Sequence, residues 1–125
     1  MFLEHVNLTV TDLDRSIAFY CDLLDLHVRW KGDLEDGRLG AHVGDERNYL
    51  ALFEATNDGP APYDYTRPGI NHFGWVVDDL DEVRRRIADL GTSIHLEADY
   101  EPGRRIYTFD PDGHEIELVE YHASA

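Results

Sequence analysis

The feature that most constrains this chain is an internal repeat. His5-Val-Asn-Leu-Thr-Val-Thr-Asp-Leu-Asp14 lies over His72-Phe-Gly-Trp-Val-Val-Asp-Asp-Leu-Asp81 without a gap. Val10, Asp12, Leu13 and Asp14 recur as Val77, Asp79, Leu80 and Asp81. Each copy alternates up to an Asp and then changes to helical spacing, which is a strand running into a capped helix. Neither half buries a sheet face by itself, so the two halves must share a fold. The expected architecture is α+β. Two tandem βαβββ modules form a curved, partly closed mixed sheet, with helices outside and a cavity inside.

Taken in order, residues 3–10 read as a half-buried strand, with Val6, Leu8 and Val10 on one face and His5, Asn7 and Thr9 on the other. A helix follows over Leu13–Leu24, with Leu13, Ile17, Tyr20, Cys21 and Leu24 at helical spacing. Strands are expected at 26–31, 38–44 and 48–54. Residues 55–69 hold three prolines and two glycines and have no periodicity, so they read as a connection. The pattern then restarts: a strand at 70–78, a helix at Leu80–Leu90 stopped by Gly91, and strands at 93–97 and 104–109 before the last one. The whole chain, 1–125, is one domain, with modules 1–55 and 68–122 joined by loop 56–67.

Composition narrows the function. At 125 residues with 42% hydrophobic content the chain can bury a real core. It has no apolar run near the ~20 residues of a membrane span. The stretch Met1–His5 has neither a basic start nor an apolar segment, so no secretory signal is expected. One cysteine, Cys21, rules out an internal disulfide and fits a reducing cytoplasm. A net charge of −15 argues against nucleic acid and anionic membranes as partners. A small-molecule ligand remains. There is no Gly-rich phosphate loop with Lys-Ser/Thr and no Gly-x-Ser-x-Gly elbow.

The chemistry gathers near the end of the chain. Asp110-Pro-Asp-Gly113 is a tight turn, and the strand after it alternates. Ile116 and Leu118 point one way; Glu115, Glu117 and Val119 point the other. A mid-strand carboxylate is either part of a solvated face or a metal ligand. The repeat favours the ligand, because His5 and His72 hold equivalent places on the first strand of each module. The place symmetric with Glu117 falls near Leu50–Ala51, and strand parity selects Ala51. Two imidazoles and one carboxylate hold one face of a divalent ion such as Fe(II), Mn(II), Ni(II) or Zn(II). Up to three positions stay open for water, substrate or oxygen. His42 has the same parity and is a candidate base, while Asn7 and Tyr49 are candidate polar wall groups. His114 reads as a rim residue; His27, His95 and His122 carry no signal beyond the surface. Arg104 and Arg105 are expected to pair with surface acids.

Four segments, His5-Val-Asn-Leu-Thr-Val, Asp14-Arg-Ser-Ile-Ala-Phe-Tyr-Cys-Asp-Leu-Leu24, His72-Phe-Gly-Trp-Val-Val and Tyr107-Thr-Phe-Asp-Pro-Asp-Gly-His-Glu-Ile-Glu117, resemble the vicinal oxygen chelate superfamily. That family holds glyoxalase I, extradiol dioxygenases, fosfomycin-resistance transferases and bleomycin-resistance proteins. The resemblance implies paired βαβββ modules, a homodimer, and His5, His72 and Glu117 as metal ligands. The family's fourth ligand, a carboxylate in glyoxalases, falls on Ala51. The resemblance also gives Tyr107 a substrate-contacting role. The basic loop of fosfomycin enzymes would fall on Glu97-Ala-Asp-Tyr-Glu101, which has no lysine. Bleomycin-type binders generally lack the metal ligands that this chain keeps. The expected function is therefore a metal-dependent enzyme, first dioxygenase-like and next a glyoxalase-like lyase or isomerase. The alternative is a ligand-sequestering protein.

Overall fold

The computed structural model describes residues 1–57, 59 and 64–122. The chain divides into two compact units, Met1–Gly59 and Pro60–Ala125. Within the expected connection 56–67, residues 58 and 60–63 lie outside the described residues.

The first unit runs β1 (His5–Val10), α1 (Leu13–Leu24), β2 (His27–Asp33), β3 (Leu39–Gly44) and β4 (Tyr49–Glu54). The second repeats it with β5 (His72–Val76), α2 (Leu80–Asp89), β6 (Ile94–Tyr100), β7 (Gly103–Phe109) and β8 (Glu115–Tyr121). The fold is α+β with two βαβββ modules, as the repeat implied. Each module has its own four-stranded open sheet, ordered β1-β4-β3-β2 and β5-β8-β7-β6. Both sheets are mixed. The β1–β4 and β5–β8 pairs are parallel, and the other pairs are antiparallel. Neither helix is long and apolar enough to cross a membrane.

The helices start where the sequence supplies a cap. Asp12 accepts from Arg15 N at 3.1 Å, and Asp79 accepts from Glu82 N at 3.1 Å. Each side chain satisfies a backbone N–H that the first helical turn leaves without a partner. Helix α2 ends at Asp89, and just beyond it Gly91 has a φ of 73°, which suits a residue without Cβ. There Gly91 N donates to Ala88 O and Thr92 N to Ile87 O, closing the last turn.

The face α1 buries is rotated from the expected one. Leu13, Ser16, Phe19, Tyr20 and Leu23 are buried, whereas Ile17, Cys21 and Leu24 are only half-buried. The apolar stripe is wide enough for either choice, and turning Phe19 and Leu23 inward removes more apolar area than turning Cys21 inward. In the first sheet Leu8, Val10, Ala41, Val43, Leu50 and Leu52 form the buried face. In the second, Ile106, Ile116 and Leu118 do so, with Leu80, Val83 and Ile87 of α2 also buried.

The register fixes which residues of the two modules correspond. His5 pairs with Tyr49 and His72 with Glu115. Asn7 pairs with Ala51 and Gly74 with Glu117. Across the antiparallel pair, His42 faces Ala51 and Tyr107 faces Glu117. So Tyr49 corresponds to Glu115, Ala51 to Glu117, and His42 to Tyr107. Both edge strands also break register at the same place, between Val28 and Trp30 and between Ile94 and Leu96. The displaced residues, Arg29 and His95, correspond as well. A bulge of this kind re-aims one side chain without moving the rest of the strand.

Candidate metal centre

In the second unit the face opposite the core carries a closed set of polar side chains. Strand β5 presents His72, β8 presents Glu115 and Glu117, and β7 presents Arg105 and Tyr107. The turn before β8 keeps them in step. Asp110 N donates to His114 O and Gly113 N to Asp110 O, with Gly113 at φ 86°. Asp110 Oδ1 accepts from Asp112 N and His114 N, both at 2.9 Å. The register this sets places Tyr107 directly opposite Glu117.

His72 Nε2 lies 3.0 Å from Glu117 Oε1. Arg105 Nη1 donates to the other oxygen, Glu117 Oε2, at 3.0 Å. Tyr107 stands across from the same residue on the neighbouring strand. Its ring meets His72 edge-on, with centroids 5.4 Å apart. Glu117 is 8% exposed, so this is no solvated strand face. Burial, then the hydrogen bond and charge of Glu117, push the Tyr107 hydroxyl above the ordinary phenol value. Tyr107 thus stays a proton donor at neutral pH.

In the first unit the corresponding face is aromatic. Trp30, His42, Tyr49 and His5 form a continuous row, with successive centroids 5.1, 4.5 and 4.9 Å apart. The displaced Arg29 lies over the Tyr49 ring at 4.6 Å. His5 is exposed, and its Nδ1 lies 3.0 Å from Glu4 Oε1. Burial, then the charge of Arg29, lowers the His42 pKa below the ordinary histidine value. His42 is therefore neutral at pH 7 and able to accept a proton. Asn7 donates its amide to Ala51 O at 2.8 Å, and Ala51 presents a methyl where the other module presents Glu117.

Among the described residues no three His, Cys, Asp or Glu side chains are gathered around one metal position. The expected ligands that meet are His72 and Glu117, both in the second unit. They are an imidazole nitrogen and a carboxylate oxygen converging at 3.0 Å, donors that suit a divalent transition metal. His5 belongs to the first unit.

Two expectations are corrected, and one contact is new. His95 is no plain surface residue: its Nε2 lies 2.6 Å from Glu115 Oε2, and its ring stacks on Phe109 at 4.2 Å. Arg105 pairs with Glu117 itself, whereas Arg104 does bind outer-face acids, Glu120 and Asp81. Tyr65, from the expected connection, hydrogen-bonds both His72 and Glu115. Glu115 itself went unassigned. The one sequence signal for it was its parity with Glu117, which put two carboxylates on one face of a strand. The His95 contact depends on the bulge, and Tyr65 on a chain reversal; neither leaves a periodic trace.

Comparison with known proteins adds the following. A family model described as Glyoxalase/Bleomycin resistance protein/Dioxygenase superfamily matches residues 2–118. A probable lactoylglutathione lyase from Synechocystis is 34% identical over 96% of this chain and 95% of its own length. The glutathione transferase FosA of Serratia marcescens is 33% identical over 93% of this chain and 78% of its own. A solved glyoxylase/bleomycin resistance protein/dioxygenase domain from Frankia superposes with a TM-score of 0.84 at 26% identity, covering 100% of this chain and 95% of that one.

Proposed function

The chain belongs to the glyoxalase/bleomycin resistance protein/dioxygenase superfamily, and from that premise we propose that it is a metal-dependent enzyme of small molecules with two adjacent oxygens. In this reading His5, His72 and Glu117 hold one divalent ion: Fe(II), Mn(II), Ni(II) or Zn(II). When bound, the ion supplies Lewis-acid polarisation of the substrate oxygens or, as iron, a place for oxygen chemistry. The residues do the rest. Arg105 holds Glu117 Oε2 and so orients the carboxylate. Tyr107, still protonated at neutral pH, donates a hydrogen bond to a substrate oxygen or to charge developing there. His42, neutral at pH 7, takes a proton from the substrate.

The observation that carries the choice of reaction is Ala51. It corresponds to Glu117 by strand pairing, and it has no donor atom. A centre with three protein ligands leaves room for a chelating substrate and a further small molecule. This supports a dioxygenase-like reaction on a catechol or related enediol. The 34% identity to a probable lactoylglutathione lyase favours a second reading, a lyase or isomerase working through an enediolate. The homodimer implied by the family and a cytoplasmic setting, which the lone Cys21 suits, belong to the same proposal.

The test is elemental analysis of protein purified without oxygen, chelator or affinity metal, with Glu117→Ala alongside. About one metal per wild-type chain and none in the variant is expected. Catechols under oxygen and a thiol–oxoaldehyde adduct without oxygen then separate the two reactions. If neither protein takes up any of the four metals, the enzyme reading falls in favour of a metal-free, ligand-sequestering protein.

A further inference from the structure

Glu115 is a carboxylate in the middle of a sheet, and it is only 3% exposed. A charge buried that deeply is costly unless its oxygens are satisfied. The corresponding place in the first module is filled by Tyr49, so the repeat does not call for a carboxylate here. Its oxygens are both taken. Oε1 accepts from the Tyr65 hydroxyl, and Oε2 lies 2.6 Å from His95 Nε2. Tyr65 Oη is in turn 2.7 Å from His72 Nδ1, and Glu115 Oε1 is 3.5 Å from that same nitrogen.

The geometry allows one consistent placement of the hydrogens when His72 ligates a metal through Nε2. Tyr65 has a single hydroxyl proton, and Glu115, with a donor on each oxygen, is an acceptor. The tyrosine therefore donates to Glu115, and His72 Nδ1–H donates to the tyrosine oxygen. The bulge between Ile94 and Leu96 carries His95 onto the far carboxylate oxygen. With Nδ1 as the donor, Nε2 is left for a metal, and Nε2 lies 3.0 Å from Glu117 Oε1, two acceptor atoms that a cation between them would reconcile. His5 is held at the surface instead: its Nδ1 lies 3.0 Å from the adjacent Glu4, which also accepts from the Tyr49 hydroxyl at 3.4 Å, and the His5 and Glu4 side chains are about half exposed, at 46% and 57%.

We propose that Glu115 is a positioning residue. Acting through Tyr65 and clamped by His95, it keeps the proton on His72 Nδ1 and presents Nε2 as the ligand nitrogen. The second module thus carries its own candidate ligands already oriented. This rests on the metal reading given above.

The test uses zinc alone as the probe. Zinc affinity is measured by competition with a chromophoric chelator for wild type, Glu115→Gln and Tyr65→Phe. The His72 ring nitrogens are followed by 15N-edited NMR of the zinc-loaded proteins. Both variants are expected to bind zinc about 10- to 100-fold more weakly, the usual effect of losing an outer partner of a ligating histidine. Both are also expected to lose or shift the protected His72 Nδ1–H signal. Should Glu115→Gln not fold, Tyr65→Phe decides, because that side chain is 49% exposed and its ring is kept. Unchanged affinity and an unchanged His72 signal, in a wild type that binds zinc, overturn the positioning role and leave the metal reading standing. A wild type that binds none of Zn(II), Fe(II), Mn(II) and Ni(II) overturns both.

Discussion

At the scale of single residues, the site separates groups that hold from groups that react. Arg105 and Glu115 hold other side chains. In the proposed enzyme Tyr107 is the proton donor, and burial keeps its hydroxyl protonated past neutral pH. Tyr107→Phe removes the hydroxyl and keeps the ring against His72. Its expected effect is a fall in kcat of about 10²-fold, the size found for a lost transition-state donor, with metal content unchanged. Metal loss in that variant would instead make Tyr107 a structural part of the centre. Ser16 is a separate case. It is fully buried on α1, and its hydroxyl has no hydrogen-bond partner. A buried polar atom left that way costs stability, and alanine is the better helix former. Ser16→Ala should therefore leave the unfolding free energy from urea titration unchanged or raise it, by up to about 1 kcal/mol. A clear loss of stability would mean that the hydroxyl has a partner in solution.

At the scale of elements, the turn into β8 determines whether the site assembles, because a slip of one residue there would turn Glu117 into the core and Ile116 out of it. His114 Nδ1 lies 2.7 Å from Asp110 Oδ2, the same carboxylate that caps the turn's backbone. The hydrogen bond to Asp110 raises the His114 pKa; burial opposes this, and the charges of Asp110 and Asp112 add to it. Protonated His114 is thus favoured by folding. Its contribution is complete below the unfolded value of about 6.5 and is lost as pH rises through the higher folded value. The Tm gap between wild type and His114→Ala should be widest near pH 5.5 and narrow steadily towards pH 8 or above. A gap that widens with pH would reverse the sign and refute the linkage.

At the scale of the whole molecule, charge dominates. Twenty-six acidic residues face eleven Lys and Arg, for a net charge of −15. Many of the arginines are already spent on local partners, as in Arg84–Glu97, Arg85–Glu82 and Arg104–Glu120. The remaining acids repel one another through solvent, which salt screens over a Debye length of about 10 Å at 0.1 M. Raising NaCl from a few millimolar to roughly 0.5 M should therefore raise Tm. A flat or falling Tm would show that the exposed ion pairs outweigh the repulsion. The same field disfavours anionic ligands at long range.

The sequence by itself determined the modules, their element order and the α+β class. These depend on local periodicity: alternation in β1 and β5, a capping Asp before each helix, and a Gly113 turn into β8. It also determined that His5, His72, Ala51 and Glu117 occupy corresponding places, because strand parity and a gapless repeat are one-dimensional properties. It left the α1 face ambiguous, since Cys21 and Phe19 both fit a helical stripe and only packing area separates them. The tertiary structure alone decided the partners around the candidate ligands. Two matching bulges re-aimed Arg29 and His95, a turn of chain brought Tyr65 onto His72, and register set Arg105 within reach of Glu117. Such contacts join residues far apart along the chain, and their geometry depends on cross-strand pairing, which no local pattern encodes.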